Sequence, residues 1–401
     1  MAGYIVGTIK EIKDNENRVG LTPKGVAELT GRGVRVLVQK SAGVGSGFMD
    51  NEYKEAGAEM LDTPEEVVKQ IDILVKVKEP IESEYRLLEL MRGKILYTYL
   101  HLSGVAKSLT EKLLECEITG IAYETIFDAN GKLPCLAPMS EVAGVLAVQY
   151  GAQYLQKKYN GRGLTLGPVR NADKAHTVIV GGGVVGTKAA EVAAGMGGKV
   201  TIFDINPKRV EELKKELHEY LGDNLYASVN VLKSEPGNFE RAVKDADLLI
   251  GGVLVAGAKA PTVVSENMVK SMKKGAVIVD VAIDQGGCIW GSKATTHSNP
   301  TYEIDGKIFC CVANMPGQAS RQSTQALTTS TLPYLLSMCE KGVDGAMKAD
   351  EGFAKGLNTA CGKIVYKAVA EDREMMDHYM PVEEFLGEGC GTSCENCACC
   401  G

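Results

Sequence analysis

The sequence has no apolar run approaching the roughly 20 residues that a membrane-crossing helix needs, which argues against a transmembrane helix within its 401 residues. It also lacks an excess of positive charge. Against 51 acidic residues stand 44 Lys and Arg, giving a formal net charge of −7, the wrong sign for a nucleic-acid surface. The opening MAGYIVGTIKEIKDNENR has no basic stretch followed by an apolar one, so no secretory signal is read and a cytoplasmic location is expected. Histidine is scarce, at five. The twelve cysteines have neither partner histidines nor a second CxxC at zinc-finger spacing, so no metal site is expected. In a long chain of this kind most cysteines are expected to be reduced. Five of them crowd into the closing GCGTSCENCACCG, which offers almost no apolar area to build a core. A mobile tail over 388–401 is the expectation, with a soft-metal or redox role left open. No repeat of solenoid period is present.

With those classes set aside, 45% apolar and 24% charged residues describe an ordinary globular protein, long enough for two domains. Apolar β-rich runs alternate with helical patterns, the signature of an α/β fold with parallel sheets. The first series of strands is YIVGTI, VRVLVQ, DILVKV, KILYTYL and ITGIAYET. The second, from residue 176, is HTVIVGGG, KVTIFDI, ASVNVL, DLLIGGV, AVIVDVAI and KIFCCVAN. Between them, residues 140–159 have helical periodicity, and NGRGLTLGPVRNADK reads as a surface loop. After about residue 320 the pattern is helical, with no further strong strands expected. That remainder is short to stand alone and is expected to pack on the N-terminal domain.

The most informative segment is VIVGGGVVGTKAAEVAAGMGGKVTIFDIN. Gly181, Gly183 and Gly186 form G-x-G-x-x-G after a strand and at the start of a helix. The first glycine serves the tight turn, the second the approach of backbone to a pyrophosphate, and the third close helix–strand packing. The helix N-terminus then offers free N–H groups to phosphate. Asp204 closes the next strand, where a carboxylate binds ribose hydroxyls and repels the extra phosphate of NADP, so NAD is the expected cofactor. Arg209, close by, weakens that contrast. Ligands in such folds sit beyond the carboxyl ends of strands. The same crevice is therefore expected to be lined by Val253 and Leu254, by Val281, Ala282, Ile283 and Asp284, and by Val312, Ala313, Asn314 and Met315.

In the first domain, Arg18 follows the first strand in a charged stretch. Lys76 and Lys78 interrupt the end of an apolar strand, and alternation puts them on one face. His101 stands where KILYTYL runs out, either as a core imidazole or as an acid/base group. An oxidoreductase for a small polar substrate needs a cation for a carboxylate, a group to polarise a carbonyl, and a base. Arg18, Lys78 and His101 supply that set.

In this order and spacing, KEIKDNENRVGLTP, LVKVKEP, YTYLHL, AYET, LAPMSEVAG, GGGVVG, DVAIDQGG and CVANMPG resemble the alanine dehydrogenase/pyridine nucleotide transhydrogenase family, from about residue 1 to 380. The resemblance implies a Rossmann-type doubly wound NAD domain inserted in a discontinuous α/β catalytic domain, usually assembled as a homo-hexamer. The expected parts are 1–136 and 319–387 for the catalytic domain and 137–318 for the NAD domain. It implies reversible, NAD-dependent oxidation of L-alanine to pyruvate and ammonium. Substrate binding falls on Arg18 and Lys78, catalysis on His101 and Asp284, and the histidine is expected to face an interdomain cleft. NAD contacts carry over onto Ser140, Val184, Asp204, Arg209, Ser234, Val253, Leu254, Lys293, Asn314 and Met315. The Cys-rich tail has no counterpart in the family pattern. Two other readings are a transhydrogenase-like NAD(P)-binding subunit and a non-catalytic NAD-sensing protein. The first would lack the YLHL histidine and the DQGG ending, and the second would have lost one of Arg18, Lys78, His101 or Asp284, yet all are present.

Overall fold

The computed structural model describes residues 3–253 and 260–388. In chain order its strands are β1 (Ile5–Thr8), β2 (Arg35–Gln39), β3 (Glu59–Leu61), β4 (Ile73–Val75), β5 (Ile95–Thr98) and β6 (Thr119–Ala122). There follow β7 (His176–Val180), β8 (Lys199–Asp204), β9 (Val229–Lys233), β10 (Leu248–Gly251), β11 (Val277–Asp280), β12 (Thr301–Ile304) and β13 (Lys307–Cys310). The series closes with β14 (Leu357–Ala360) and β15 (Lys363–Ile364). The chain forms two compact units, one from the described parts of Met1–Met139 and Gly317–Gly401, the other from Ser140–Pro316.

In the first unit the order is β15-β14-β6-β5-β4-β1-β2-β3. The six strands β1 to β6 run parallel, and β14 adds antiparallel to β6. In the second unit the order is β12-β13-β11-β10-β7-β8-β9, parallel except for the edge strand β12. Each parallel core thus has the 3-2-1-4-5-6 order of a doubly wound sheet, with its strand order reversing between β1 and β4 or between β7 and β10. Strands covered by helices on both faces must be apolar throughout, so β4 to β7 read as continuous runs and are buried along their length. Helix starts are equally local. Thr22 before Pro23, Thr63 before Pro64 and Asn206 before Pro207 each cap a backbone N–H ahead of a proline that needs none.

Four strands go beyond the expected set, and β14 and β15 overturn the expectation of no strands after residue 320. Both are very short. They join through Cys361 and Gly362, each at positive φ, and their Asn and Thr content hides them from a search for apolar runs. β12 and β13 join the same way through Asp305 and Gly306. The helix read over 140–159 spans Ala137–Tyr154, with a single 3-10 turn at Lys157–Tyr159. Cys116, Cys135, Cys288, Cys310, Cys311 and Cys339 are free and buried. Burial pushes each thiol up, which leaves it inert. The Cys-rich tail lies outside the described residues. No described helix is long and apolar enough to cross a membrane.

Candidate active site

In the second unit the glycine motif sits at the carboxyl end of β7. Gly181 has φ +98°, and a Cβ there would lie 2.8 Å from the Gly252 carbonyl oxygen of the loop after β10. A Cβ on Gly186 would lie 1.9 Å from the Gly181 oxygen, so helix Val184–Gly195 approaches the strand only because the residue is glycine. At Gly183, the N-cap, a Cβ would meet nothing within 4 Å. Backbone N–H groups are therefore open to a diphosphate at that helix end, which fits a dinucleotide.

Asp204, ending β8, accepts from the Gly182 N–H at 2.8 Å through one oxygen and from the Asn206 N–H at 2.8 Å through the other. The carboxylate is thereby fixed beside the glycine loop. Arg209 donates to the Gly182 carbonyl at 2.8 Å and is gripped by Glu216 at 2.8 and 2.9 Å. Glu216, then Glu212, hold its charge neutralised, so it is a poor partner for a 2′-phosphate. The contrast that Arg209 weakens in sequence is restored in structure.

Several of the other expected residues directly follow strand ends at the same edge of the sheet. Ser234 follows β9 and donates its N–H to the Asp204 carbonyl at 2.9 Å. Val253 follows β10, and Leu254 lies outside the described residues. Val281, Ala282, Ile283 and Asp284 form a 3-10 turn after β11, pinned by the buried Asp280 carboxylate. Asp284 is exposed and accepts from the Asn314 N–H at 3.2 Å. Val312, Ala313, Asn314 and Met315 follow β13, with Val312 and Met315 side chains buried, so those two present backbone to the edge. Lys293 is exposed on the loop after β11. Ser140 stands one helical turn before Gly144, where a Cβ would lie 2.5 Å from the Val185 oxygen, so it is on the helix packed against the motif's own helix. His297, not singled out in sequence, approaches the Asn314 carbonyl at 3.3 Å and Tyr150 at 3.4 Å.

The first unit gathers charge at the corresponding edge. Its strands β1, β4 and β5 are neighbours, and Arg18, Lys78 and His101 lie beyond their carboxyl ends. Arg18 is no surface arginine. It is 2% exposed, bound to Glu16 through Nε at 2.7 Å and Nη2 at 2.5 Å, with Nη1 at 3.0 Å from the Met139 sulfur. Burial opposes its charge, but Glu16 more than compensates and raises its pKa. Arg18 also lines a cavity of about 360 Å³ with Lys10, Glu11, Glu16, Ser41 and Gly45.

His101 is not a core imidazole, because its side chain is 32% exposed. Its backbone is left-handed, φ 48°, an uncommon state for a non-glycine residue and one that surrounding contacts must hold. Glu124 does so by accepting the N–H groups of His101 at 2.5 Å and Leu100 at 3.2 Å. The ring stacks on Tyr99, centroids 5.4 Å apart. Its Nδ1 lies 3.3 Å from Glu79, whose carboxylate also meets Lys78 at 3.6 Å and pairs with Lys13. Burial raises the Glu79 carboxyl, but Lys78, then His101 and Lys13, outweigh it and hold it far below the usual carboxylate range.

Lys76 takes a different path from Lys78. The strand stops at Val75, and Lys76 is buried in a triad with Glu11 at 3.0 Å and Glu84 at 2.8 Å. A buried ammonium costs several kcal/mol unless paired, and here both acids raise its pKa against that cost. It is structural. The carboxylates Glu16, Glu79 and Glu124 were not read from the sequence, where a glutamate carries no sign of its partner. Among the described residues no group of His, Cys, Asp and Glu is arranged to hold a metal.

Two family models together match most of the chain. The family described as "Alanine dehydrogenase/PNT, N-terminal domain" matches residues 7–143, and "Alanine dehydrogenase/PNT, C-terminal domain" matches 147–367. The chain is 50% identical over 385 residues to an alanine dehydrogenase of Methanococcus maripaludis, covering 96% of this chain and 100% of that one. It is 48% identical over 371 residues to an alanine dehydrogenase of Mycolicibacterium smegmatis, covering 92% and 97%. A solved L-alanine dehydrogenase aligns with TM-score 0.84 at 44% identity, over 92% of this chain and 98% of that one. A transhydrogenase from Sinorhizobium meliloti aligns with TM-score 0.74 over 91% and 99%, but at 23% identity it shares the fold alone.

Proposed function

The chain belongs to the alanine dehydrogenase/pyridine nucleotide transhydrogenase family, and from that premise we propose that it catalyses the NAD-dependent, reversible oxidation of L-alanine to pyruvate and ammonium. One observation carries the reading. A chain about half identical over nearly its whole length to proteins named alanine dehydrogenase keeps Arg18, Lys78 and His101 beyond three adjacent parallel strands.

NAD+, when bound, supplies the ring that accepts hydride from the alanine α-carbon. The Arg18 guanidinium holds the substrate carboxylate, a planar fork against a planar anion. His101 takes a proton from the ammonium, so that the nitrogen lone pair can form an iminium as hydride leaves, and gives that proton up to solvent before water attacks. It then takes a proton from the attacking water and returns one to the departing ammonia. Lys78 stabilises negative charge on the carbonyl oxygen, chiefly in the aminating direction. Asp284 orients the water or ammonia. In sum, alanine, NAD+ and water become pyruvate, ammonium, NADH and a proton. The proposed assembly is a homo-hexamer in the cytoplasm, and light scattering at about six times the 42.8 kDa chain would support its size.

The assay is NADH formation with each amino acid at alkaline pH and NADH consumption with pyruvate plus ammonium. L-alanine is expected to give the highest kcat/KM. No turnover in either direction would reject the reading.

A further inference from the structure

Glu79 is 4% exposed, and among the described residues its partners are the side chains of Lys13, Lys78 and His101. Those partners come from three chain segments, the loops after β1, β4 and β5. The loop after β1 also carries Arg18. One carboxylate therefore ties together the segments that bear every proposed substrate-handling side chain of this unit.

We propose that Glu79 is a positioning residue that accepts the Nδ1 proton of His101 and so keeps Nε2 as the basic nitrogen offered to substrate. This rests on the reading of His101 as the acid/base group. The reason is elementary. A neutral imidazole has one N–H and one lone pair, and which nitrogen holds the proton follows from the partner of the other. At 3.3 Å from Nδ1, the Glu79 carboxylate can only accept, because Lys78 and Lys13 keep it ionised. No other carboxylate oxygen among the described contacts meets the ring. Glu124 engages the backbone of Leu100 and His101, and Tyr99 spends its hydroxyl on the Cys135 carbonyl at 2.6 Å while its ring stacks on the imidazole. Glu79 also offsets the two lysines, so that an imidazolium formed during turnover does not face two uncompensated cations.

The test uses Glu79→Ala, Glu79→Gln and Glu79→Asp in the full chain. Glu79→Ala is expected to lower kcat for alanine by about 10²-fold, with KM for alanine within about threefold and NADH binding kept. Glu79→Gln, whose amide oxygen still accepts from Nδ1, is expected to recover at least about tenfold of that loss. A merely structural role would instead raise KM, weaken NADH binding and leave Gln no better than Ala, and that pattern would overturn the proposal. Nitrogen NMR of histidine-labelled protein, assigned with His101→Ala among only five histidines, reads the tautomer without turnover. The Nδ1-protonated form is expected in wild type and its loss in Glu79→Ala; an unchanged tautomer would also overturn the proposal. Should Glu79→Ala not fold, Glu79→Asp is expected to lose about tenfold in kcat, and wild-type kcat there would count against the proposal. A wild-type protein that forms no NADH from alanine would reject the function and leave the imidazole spectrum to judge Glu79 by itself.

Discussion

The two sheets share one strand order and use their carboxyl edges in opposite ways. At the β7/β10 switch the working groups are backbone. Three glycines clear the space, a helix end supplies N–H groups, and one carboxylate, Asp204, is held by two main-chain bonds. At the β1/β4 switch they are side chains, each held by a glutamate: Arg18 by Glu16, and Lys78 and His101 by Glu79. The difference follows from the ligands proposed. A long anionic dinucleotide is met by many weak main-chain donors that glycine alone exposes. A substrate of a few atoms has room for only a few strong, oriented charges, and these must be locked by partners of their own.

If that division is right, the edges should be separable by mutation. The largest effect is expected for Arg18→Lys, which keeps a charge for Glu16 but loses the fork. KM for alanine should rise about 10²-fold with NADH affinity unchanged, measured by steady-state kinetics and fluorescence titration. A parallel loss of NADH binding would mean that the two edges are not independent.

The histidines sharpen the contrast further. His176, buried in β7 and bonded to Thr201 at 2.9 Å, is pushed down to about 4, first by burial and then by Lys199. The unfolded chain takes up that proton near pH 6.5 and the folded chain only near 4, so the stability it contributes is complete above 6.5 and lost as pH falls to 4. The loss should be roughly 3 kcal/mol. Calorimetry of His176→Gln should show a flatter decline of Tm over that window than wild type, and identical slopes would contradict it.

The smallest effects concern cofactor choice. Asp204→Ala should lower the NAD/NADP preference in kcat/KM by about tenfold, the worth of a charged hydrogen bond. Glu216→Gln, which frees Arg209 in part, should lower it a fewfold more modestly. An unchanged ratio in the Asp204 variant would show that the selector lies elsewhere.

Which parts were legible in sequence follows from the same division. Backbone recognition leaves a mark, because only glycine tolerates Gly181 at φ +98° or Gly186 against a carbonyl, and long buried strands leave apolar runs. The strands β3, β12, β14 and β15 left little, being two to four residues long and, apart from β14, only partly buried. For β12 the Asp305-Gly306 turn was a usable signal. Side-chain sites are harder. Lys76 and Lys78 look alike in LVKVKEP, and only folding sends one into a buried triad and the other to Glu79. Arg209 blurs the cofactor choice in sequence, and only the fold brings Glu216, seven residues on, against its guanidinium.

The most direct test compares wild type and His101→Ala in one preparation, following NADH formation from L-alanine beside NADH binding. The account predicts that kcat falls by at least about 10²-fold while NADH affinity stays within about twofold of wild type. Near-normal turnover in the variant, or a loss of both properties together, would contradict the assignment of chemistry to the side-chain edge.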